Sequence, residues 1–311
     1  MKRLTTIFLS VLFVNSSLFA QAKISNKSMN SETSKSKSAS KLYERGSKSV
    51  DVTVLSQLSS NNSKFYITPY NKGYVYSEIK KGGNIAKSND VNFYYVAESN
   101  GRFDKPQAFN LNTPTDLIPV AVSFNADETS MFITCLQKPS TSNYTIYQAK
   151  KTNGIWSDWK EVAMARKFES AGFPVVNESG TMLYFTAKTK ASTKGYDIYS
   201  SKLNNGWQDA VPMIGDINSM GDDMYPTLFK DVLFYSSNDK GGEGKSDIIF
   251  IDLKDKAKIC YNAGSIINTE ANDQLMLLNK DNRTGILIND SNDSSKLELF
   301  HFKVEGDYIS K

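Results

Sequence analysis

The chain has 311 residues, a formal net charge of +4, 40% hydrophobic and 12% aromatic residues, two cysteines and one histidine. A lone His301 leaves a His-rich zinc site or a His-based catalytic triad without its parts. No P-loop and no helix-opening Gly-x-Gly-x-x-Gly occurs, so nucleotide chemistry has no cradle, and cofactors are expected to be none.

Residues 1–22 read as a signal peptide: Lys2 and Arg3 at the head, the apolar stretch Leu4–Val14, then small residues around Ala20 and Ala22. That stretch is too short to span a bilayer, and nothing later approaches 18 consecutive apolar residues, so no transmembrane segment is expected. Residues 23–49 are rich in Ser and Lys and almost free of large apolar groups, the composition of a disordered linker. Seven Lys and Arg there stand against Glu32 and Glu44, a net +5. With Lys2 and Arg3 also counted, the body from Val50 on carries −3 of the chain's +4. The basic character thus belongs to the tail, and a basic nucleic-acid groove is not expected.

From Val50 onward the chain repeats itself. The polar residue that opens one strand of each repeat recurs as Asn92, Thr145, Asp197, Asp247 and Glu298, in steps of 53, 52, 50 and 51 residues. Hairpin dipeptides supply a second ruler: Asn100-Gly101, Asn153-Gly154 and Asn205-Gly206, with Glu305-Gly306 two periods on and Asp255-Lys256 in place of the fourth. The apolar runs Tyr74–Tyr76, Met131–Thr134, Met182–Thr186, Val232–Ser236 and Ile286–Ile288 mark a buried strand in every copy. In the third repeat the strands are expected at Phe173–Asn177, Thr181–Ala187, Tyr196–Leu203 and Trp207–Pro212. The first repeat is expected to open with Phe65–Tyr70 and the last to end with Asp307–Ser310.

Five four-stranded antiparallel units of about 50 residues predict an all-β, five-bladed β-propeller over 50–311. The repeats fall at about 60–111, 112–163, 164–217, 218–267 and 268–311. Val50–Leu58 is left over: either an extra strand that pairs onto the final one and closes the ring, or a plain linker. Cys135 and Cys260 fall two blades apart, which excludes a disulfide because bridged Cα atoms lie within about 7 Å.

The stretch from Ser170 to Lys254 resembles the WD40-like (TolB-like) β-propeller repeats of Bacteroidetes cell-envelope proteins. The resemblance rests on Pro174 and Pro226, the Leu-Tyr-Phe and Leu-Phe-Tyr runs, Gly195-Tyr196-Asp197-Ile198-Tyr199, Gly241-Gly242 ahead of Ser246-Asp247-Ile248, and the Ile217-Asn218-Ser219 loop. It implies an exported protein of the periplasm or outer-membrane surface. Proteins of this family often carry the propeller beside helical repeats or an OmpA-like peptidoglycan-binding domain, some within type IX secretion machinery. Neither extra domain is read in this sequence.

Two recurring features bear on function. An aromatic follows each hairpin (Phe103, Trp156, Trp207, Tyr308), expected to pack between blades, with a sugar-stacking platform as the alternative. In the loops between repeats, Asp116, Asp223 and Asp273 each stand three residues before Pro119, Pro226 and Met276, with Glu169 close to the matching place in repeat three. Such residues commonly cap their own turns; gathered at one channel mouth, they would instead bind a cation or a basic peptide. The expectation is a non-catalytic binding or assembly scaffold whose partner is an envelope protein, a peptide or a glycan. The alternative is a glycoside hydrolase-like propeller, which needs two carboxylates about 6.5–9.5 Å apart on inner strands. The first inner strand, Phe65–Tyr70, holds no acid.

Overall fold

The computed structural model describes residues 50–309 apart from 88–89, 100, 138–142, 192–193, 241 and 292. The expected signal peptide and the Ser/Lys-rich linker lie outside the described residues.

Five antiparallel sheets follow one another along the chain, each with four strands across its width, and the chain folds as a five-bladed propeller. Strand β1 (Val50–Val54) precedes the first complete blade, which is β2 (Ser63–Tyr70), β3 (Gly73–Ile79), β4 (Val91–Ser99) and two outer fragments, β5 (Arg102–Phe103) and β6 (Gln107–Ala108). The second blade is β7 (Pro119–Phe124), β8 (Ser130–Leu136), β9 (Tyr144–Thr152) and β10 (Ile155–Glu161). The third is β11 (Ser170–Val176), β12 (Met182–Lys188), β13 (Asp197–Lys202) and β14 (Val211–Pro212). The fourth is β15 (Asp223–Phe229), β16 (Val232–Ser237), β17 (Asp247–Asp252) and β18 (Tyr261–Asn262). The fifth is β19 (Asp273–Leu278), β20 (Thr284–Asn289) and β21 (Glu298–Val304), completed by β1. Helical structure among the described residues is confined to short 3₁₀ turns such as Ser56–Leu58 and Ala163–Lys167.

The second strand of each blade is apolar without alternation because it is covered on both faces. In β16 every residue is buried, and in β12 all but the two ends. The Asn-Gly hairpins form as their chemistry requires: Asn153 and Gly154 have φ of 52° and 80°, and Asn205 and Gly206 51° and 123°.

Ring closure resolves the leftover segment. Val50–Val54 pairs in full antiparallel register with Val304–Phe300 and becomes the outer strand of the fifth blade, while Leu55 and Leu58 are buried behind it. The expected last strand, Asp307–Ser310, does not form over its described residues. The backbone N–H of Tyr308 donates to Asn282 O (2.7 Å) and that of Ile309 to Asn282 Oδ1 (2.9 Å), holding the segment against the β19–β20 turn while β1 occupies its place. The outer strand expected at Trp207–Pro212 shrinks to a single bridge, Leu203 to Trp207, and the two residues of β14. An outer strand has one neighbour only, and beyond these pairs the segment adds just two backbone bonds to it, Gln208 N–H to Lys202 O and Met213 N–H to Ile198 O, both 2.9 Å.

Each inner strand carries a register shift: between Lys64 and Tyr66, Pro119 and Ala121, Gly172 and Val175, Met224 and Thr227, and Asp273 and Leu275. In the third and fourth blades the bulged residues Phe173 and Tyr225 take left-handed φ of 53° and 56°, each directly before a proline. That conformation is costly for bulky residues and persists only where the surroundings enforce it. Here hydroxyls on the preceding blade's second strand do so. Phe173 N–H donates to Thr134 Oγ1 (2.7 Å) and Tyr225 N–H to Thr186 Oγ1 (3.2 Å). Ser77 Oγ donates to Val120 O (2.8 Å) and Ser236 Oγ to Asp273 O (2.7 Å) at the equivalent junctions.

Candidate functional site

The ladders define which residues share a position around the ring. At the matching ladder position ahead of each bulge stand Lys64, Pro119, Ala171, Asp223 and Asp273, paired across to Glu78, Cys135, Ala187, Ser237 and Asn289. Asp223 and Asp273 therefore do occupy one repeat position. Asp116 does not: Pro119 fills that place, and Asp116 lies in the exposed turn before β7. Its loop is one residue shorter between the Asn and the Asp than those of Asn218–Asp223 and Asn268–Asp273. Glu169, half-buried, directly precedes β11, and its backbone N–H donates to Lys188 O of β12 (2.9 Å).

Asp223 and Asp273 are fully and almost fully buried, with 0% and 2% exposure. Asp223 Oδ2 accepts from Ser219 N–H (2.5 Å) and Ser219 Oγ (2.7 Å), and Asp273 Oδ2 accepts from Thr269 N–H (2.6 Å). The preceding Asn in each loop clamps the neighbouring blade. Asn218 accepts from Ile198 N–H and donates to Ile198 O (2.8 and 3.0 Å), and Asn268 does the same with Ile248 (2.7 and 3.0 Å). The Asn-Ser/Thr-x-x-x-Asp loop thus fastens the third strand of one blade to the first strand of the next.

Each capped carboxylate faces a second one at the start of that third strand, Asp197 for Asp223 and Asp247 for Asp273. Burial pushes all four upward from the usual carboxylate range, and Asp273, with Asp247 adding to the effect, up to about 7. Among the described residues no three His, Cys, Asp or Glu side chains group as a metal site.

In the first blade the same ladder position holds a buried ion pair, Lys64 with Glu78. Glu78 Oε1 accepts from Asn62 Nδ2 (2.7 Å), its Oε2 from Ser60 Oγ (3.2 Å), and Lys64 Nζ also donates to Ser60 Oγ (2.9 Å). Leu55, Leu58 and Leu297 line the shallow recess around it, at the seam where the ring closes. Sequence reasoning missed this pair. Lys64 and Glu78 are 14 residues apart in the chain, and the register of the β2–β3 ladder sets them directly opposite each other.

The bulged residues converge. Phe173 lies 6.0 Å from Phe65, 5.8 Å from Tyr66, 5.2 Å from Tyr144 and 4.6 Å from Tyr225 between ring centroids, so rings from four blades pack together. Gln274 of the fifth blade donates to Phe65 O. Burial raises the phenols of Tyr66, Tyr144 and Tyr225, as expected where water is excluded.

Three of the four aromatics after the hairpins pack between blades as expected, and Trp156 packs within its own. Phe103 of the first blade meets His301 of the fifth, Trp207 of the third meets Phe132 of the second, and Tyr308 reaches Phe234 and Phe250 of the fourth. Trp156 packs on Phe124 of its own blade. His301 is half-buried against Phe103, and burial lowers its pKa. Both cysteines are free; Cys135 is buried, whereas Cys260 is half-buried beside Tyr235 Oη, at 3.3 Å.

No protein-family profile matches the chain, and no curated protein matches it either. Solved structures with the same fold are numerous. Putative TolB from Agrobacterium tumefaciens aligns over 80% of this chain and 79% of its own, at 11% identity and a TM-score of 0.50. A thermostable family-43 glycoside hydrolase aligns over 81% of this chain and 95% of its own, at 11% identity and a TM-score of 0.52. TolB from Acinetobacter baumannii, at 16% identity and a TM-score of 0.46, aligns over 81% of this chain, which spans 57% of that protein's length. The likenesses to the Agrobacterium protein and the family-43 hydrolase show the fold alone, a β-propeller, whose blades number five in this chain.

Proposed function

We propose that the chain is an exported, non-catalytic propeller that acts as a binding or assembly scaffold in the cell envelope. The observation that carries this reading is what the inner strands present where they converge. Phe65, Tyr66, Phe173 and Tyr225 pack there against one another. Hydrolysis of a glycoside calls for two carboxylates flanking a bond in a space that admits a sugar. The inner-strand carboxylates here, Asp223 and Asp273, are engaged in capping their own loops. Export rests on the charged, apolar and small-residue order of residues 1–22. Among the described residues no helix is long and apolar enough to cross a membrane.

The proposed binding rim is the set of loops that lead into the inner strands. Of the four candidate carboxylates, exposed Asp116 and half-buried Glu169 are those a basic peptide or envelope protein reaches, while Asp223 and Asp273 keep the loops in place. Cross-linking the tagged protein in its native envelope and identifying what co-purifies tests the scaffold reading. A specific partner whose recovery falls with Asp116→Asn and Glu169→Gln is the expected result. A glycan-active propeller is the second reading, favoured by the likeness to the family-43 hydrolase fold. Release of reducing sugar from plant or envelope polysaccharides by the purified protein would establish it and displace the first.

A further inference from the structure

The outer edges of the blades differ in how well they are defended. In the first, third and fourth blades the outer pieces β5, β6, β14 and β18 are two residues long. In the second, β10 is long but broken by a register shift between Ser157 and Lys160, with Asp158 at φ 56° and a charged Asp158–Lys160 pair on the edge. Bulges, charges and short strands are how proteins prevent edge-to-edge pairing. In β1 most of these protections are missing, Asp51 being its one charge. It runs five residues in unbroken register, contains no proline or lysine, and leaves Val52 and Val54 exposed at 37% and 38%.

We propose that the free edge of β1 is a self-association surface, on which a second copy of this chain lays its own β1 antiparallel about a two-fold axis at Val52. The backbone fixes this register. Leu55 N–H donates to Leu299 O, so the odd-numbered positions 51, 53 and 55 point their backbone groups toward β21. In an antiparallel strand the direction alternates, so Val50, Val52 and Val54 aim their N–H and C=O groups outward. A two-fold at Val52 pairs Val52 with its own copy and Val50 with the copy's Val54, and each outward donor meets an acceptor. The side chains agree. Val50, Val52 and Val54 stand on the same face as Phe302 and Phe300, with which β1 is in register, and the partner strand continues that apolar stripe. On the other face Asp51 lies opposite the copy's Thr53, so no like charges meet. A shift of the axis to Asp51 would bring two aspartates together, which is unfavourable. The two fifth blades become one continuous eight-stranded sheet, an isologous contact that closes on itself.

Sedimentation equilibrium of the purified chain over a dilution series tests the proposal. The wild type is expected to show a monomer–dimer equilibrium. Val52→Lys, which sets two ammonium groups against each other at the axis, is expected to give the mass of one chain at every concentration. Thr53→Lys, placed opposite the copy's Asp51, is expected to tighten the dimer several-fold, and Thr53→Asp to loosen it several-fold. Opposite effects from one exposed position distinguish edge pairing from a general loss of fold. A wild type that sediments as a single chain throughout overturns the proposal. So does a dimer that persists unchanged in Val52→Lys, or one indifferent to the charge at position 53.

Discussion

At the scale of single residues, the most consequential are the buried carboxylates at the blade junctions. Their identity was legible in the sequence: Asp223 and Asp273 stand at one repeat position, each preceded by Asn and Ser or Thr. Their depth was not, because burial depends on how the flanking blade covers the loop. Asp116 shows the other limit. A match counted from Pro119 and Pro226 treats those prolines as equivalent, but Pro226 follows the fourth blade's bulged Tyr225, whereas Pro119 precedes its own blade's bulge. Burial and the neighbouring Asp247 raise Asp273 to about 7, against about 3.9 in an unfolded chain. The folded state therefore holds this proton more tightly than the unfolded state. Its favourable effect is complete below about pH 4 and is lost as pH rises through 7. Asp273→Asn keeps an acceptor for Thr269 and removes the charge. It is expected to stabilise the protein by up to a few kcal/mol above pH 7, at about 1.4 kcal/mol per pKa unit, and by little near pH 4. Denaturant melts of both proteins between pH 4 and 8 measure the difference. A gap independent of pH would assign the effect to hydrogen bonding instead.

At the scale of elements, second and third strands were read well and outer strands poorly. Second strands announce themselves by unbroken apolar runs that only a doubly covered strand tolerates. Outer strands hold by a few backbone bonds to one neighbour, so they shorten, as at Val211–Pro212, without leaving a trace in the hydrophobic pattern. A hydroxyl at the end of the second-strand run recurs in four of the five blades, as Ser77, Thr134, Thr186 and Ser236, but its role required the bulge opposite. These hydroxyls join one blade to the next where apolar packing alone would let blades slide. Thr186 is fully buried and accepts from Tyr225 N–H. Thr186→Val keeps the volume and strands that donor, a loss of about 1–3 kcal/mol. Thr186→Ser retains the acceptor and is expected to recover part of it, since the missing methyl is a smaller packing defect. Chemical denaturation of the pair decides whether the hydroxyl or the methyl matters.

At the scale of the whole molecule, the ring is closed by its own beginning. The repeat count was legible because each blade must bury its faces against another copy, and selection for that burial leaves a period of 50–53 residues in the chain. The closure was only half legible: Val50–Val54 has the composition of a strand, but nothing local says which edge it joins. In the structure it supplies the fourth strand that the C-terminal segment does not, and it shields the edge of β21, where Phe300 and Phe302 are buried. A circle held by a non-covalent latch between its two ends should depend on that latch far more than an equally short outer strand elsewhere. Two chains differing only in residues 50–54 provide the comparison: one starting at Val50, the other at Leu55 so that Leu55 and Leu58 still fill their pocket. Removing the strand sacrifices its backbone pairing, at about 0.5–1.5 kcal/mol for each hydrogen bond, and uncovers apolar surface on β21. The shortened chain is expected to melt well below the longer one. A peptide spanning Val50–Leu55, added in excess, should raise its midpoint by binding the folded ring only. Replacing Val211 and Pro212 in β14 by glycine is the control, since that strand ends a blade closed within its own repeat. If the two alterations lower the midpoint equally, or if the peptide leaves the shortened chain unchanged, β1 is an ornament on a ring that holds without it.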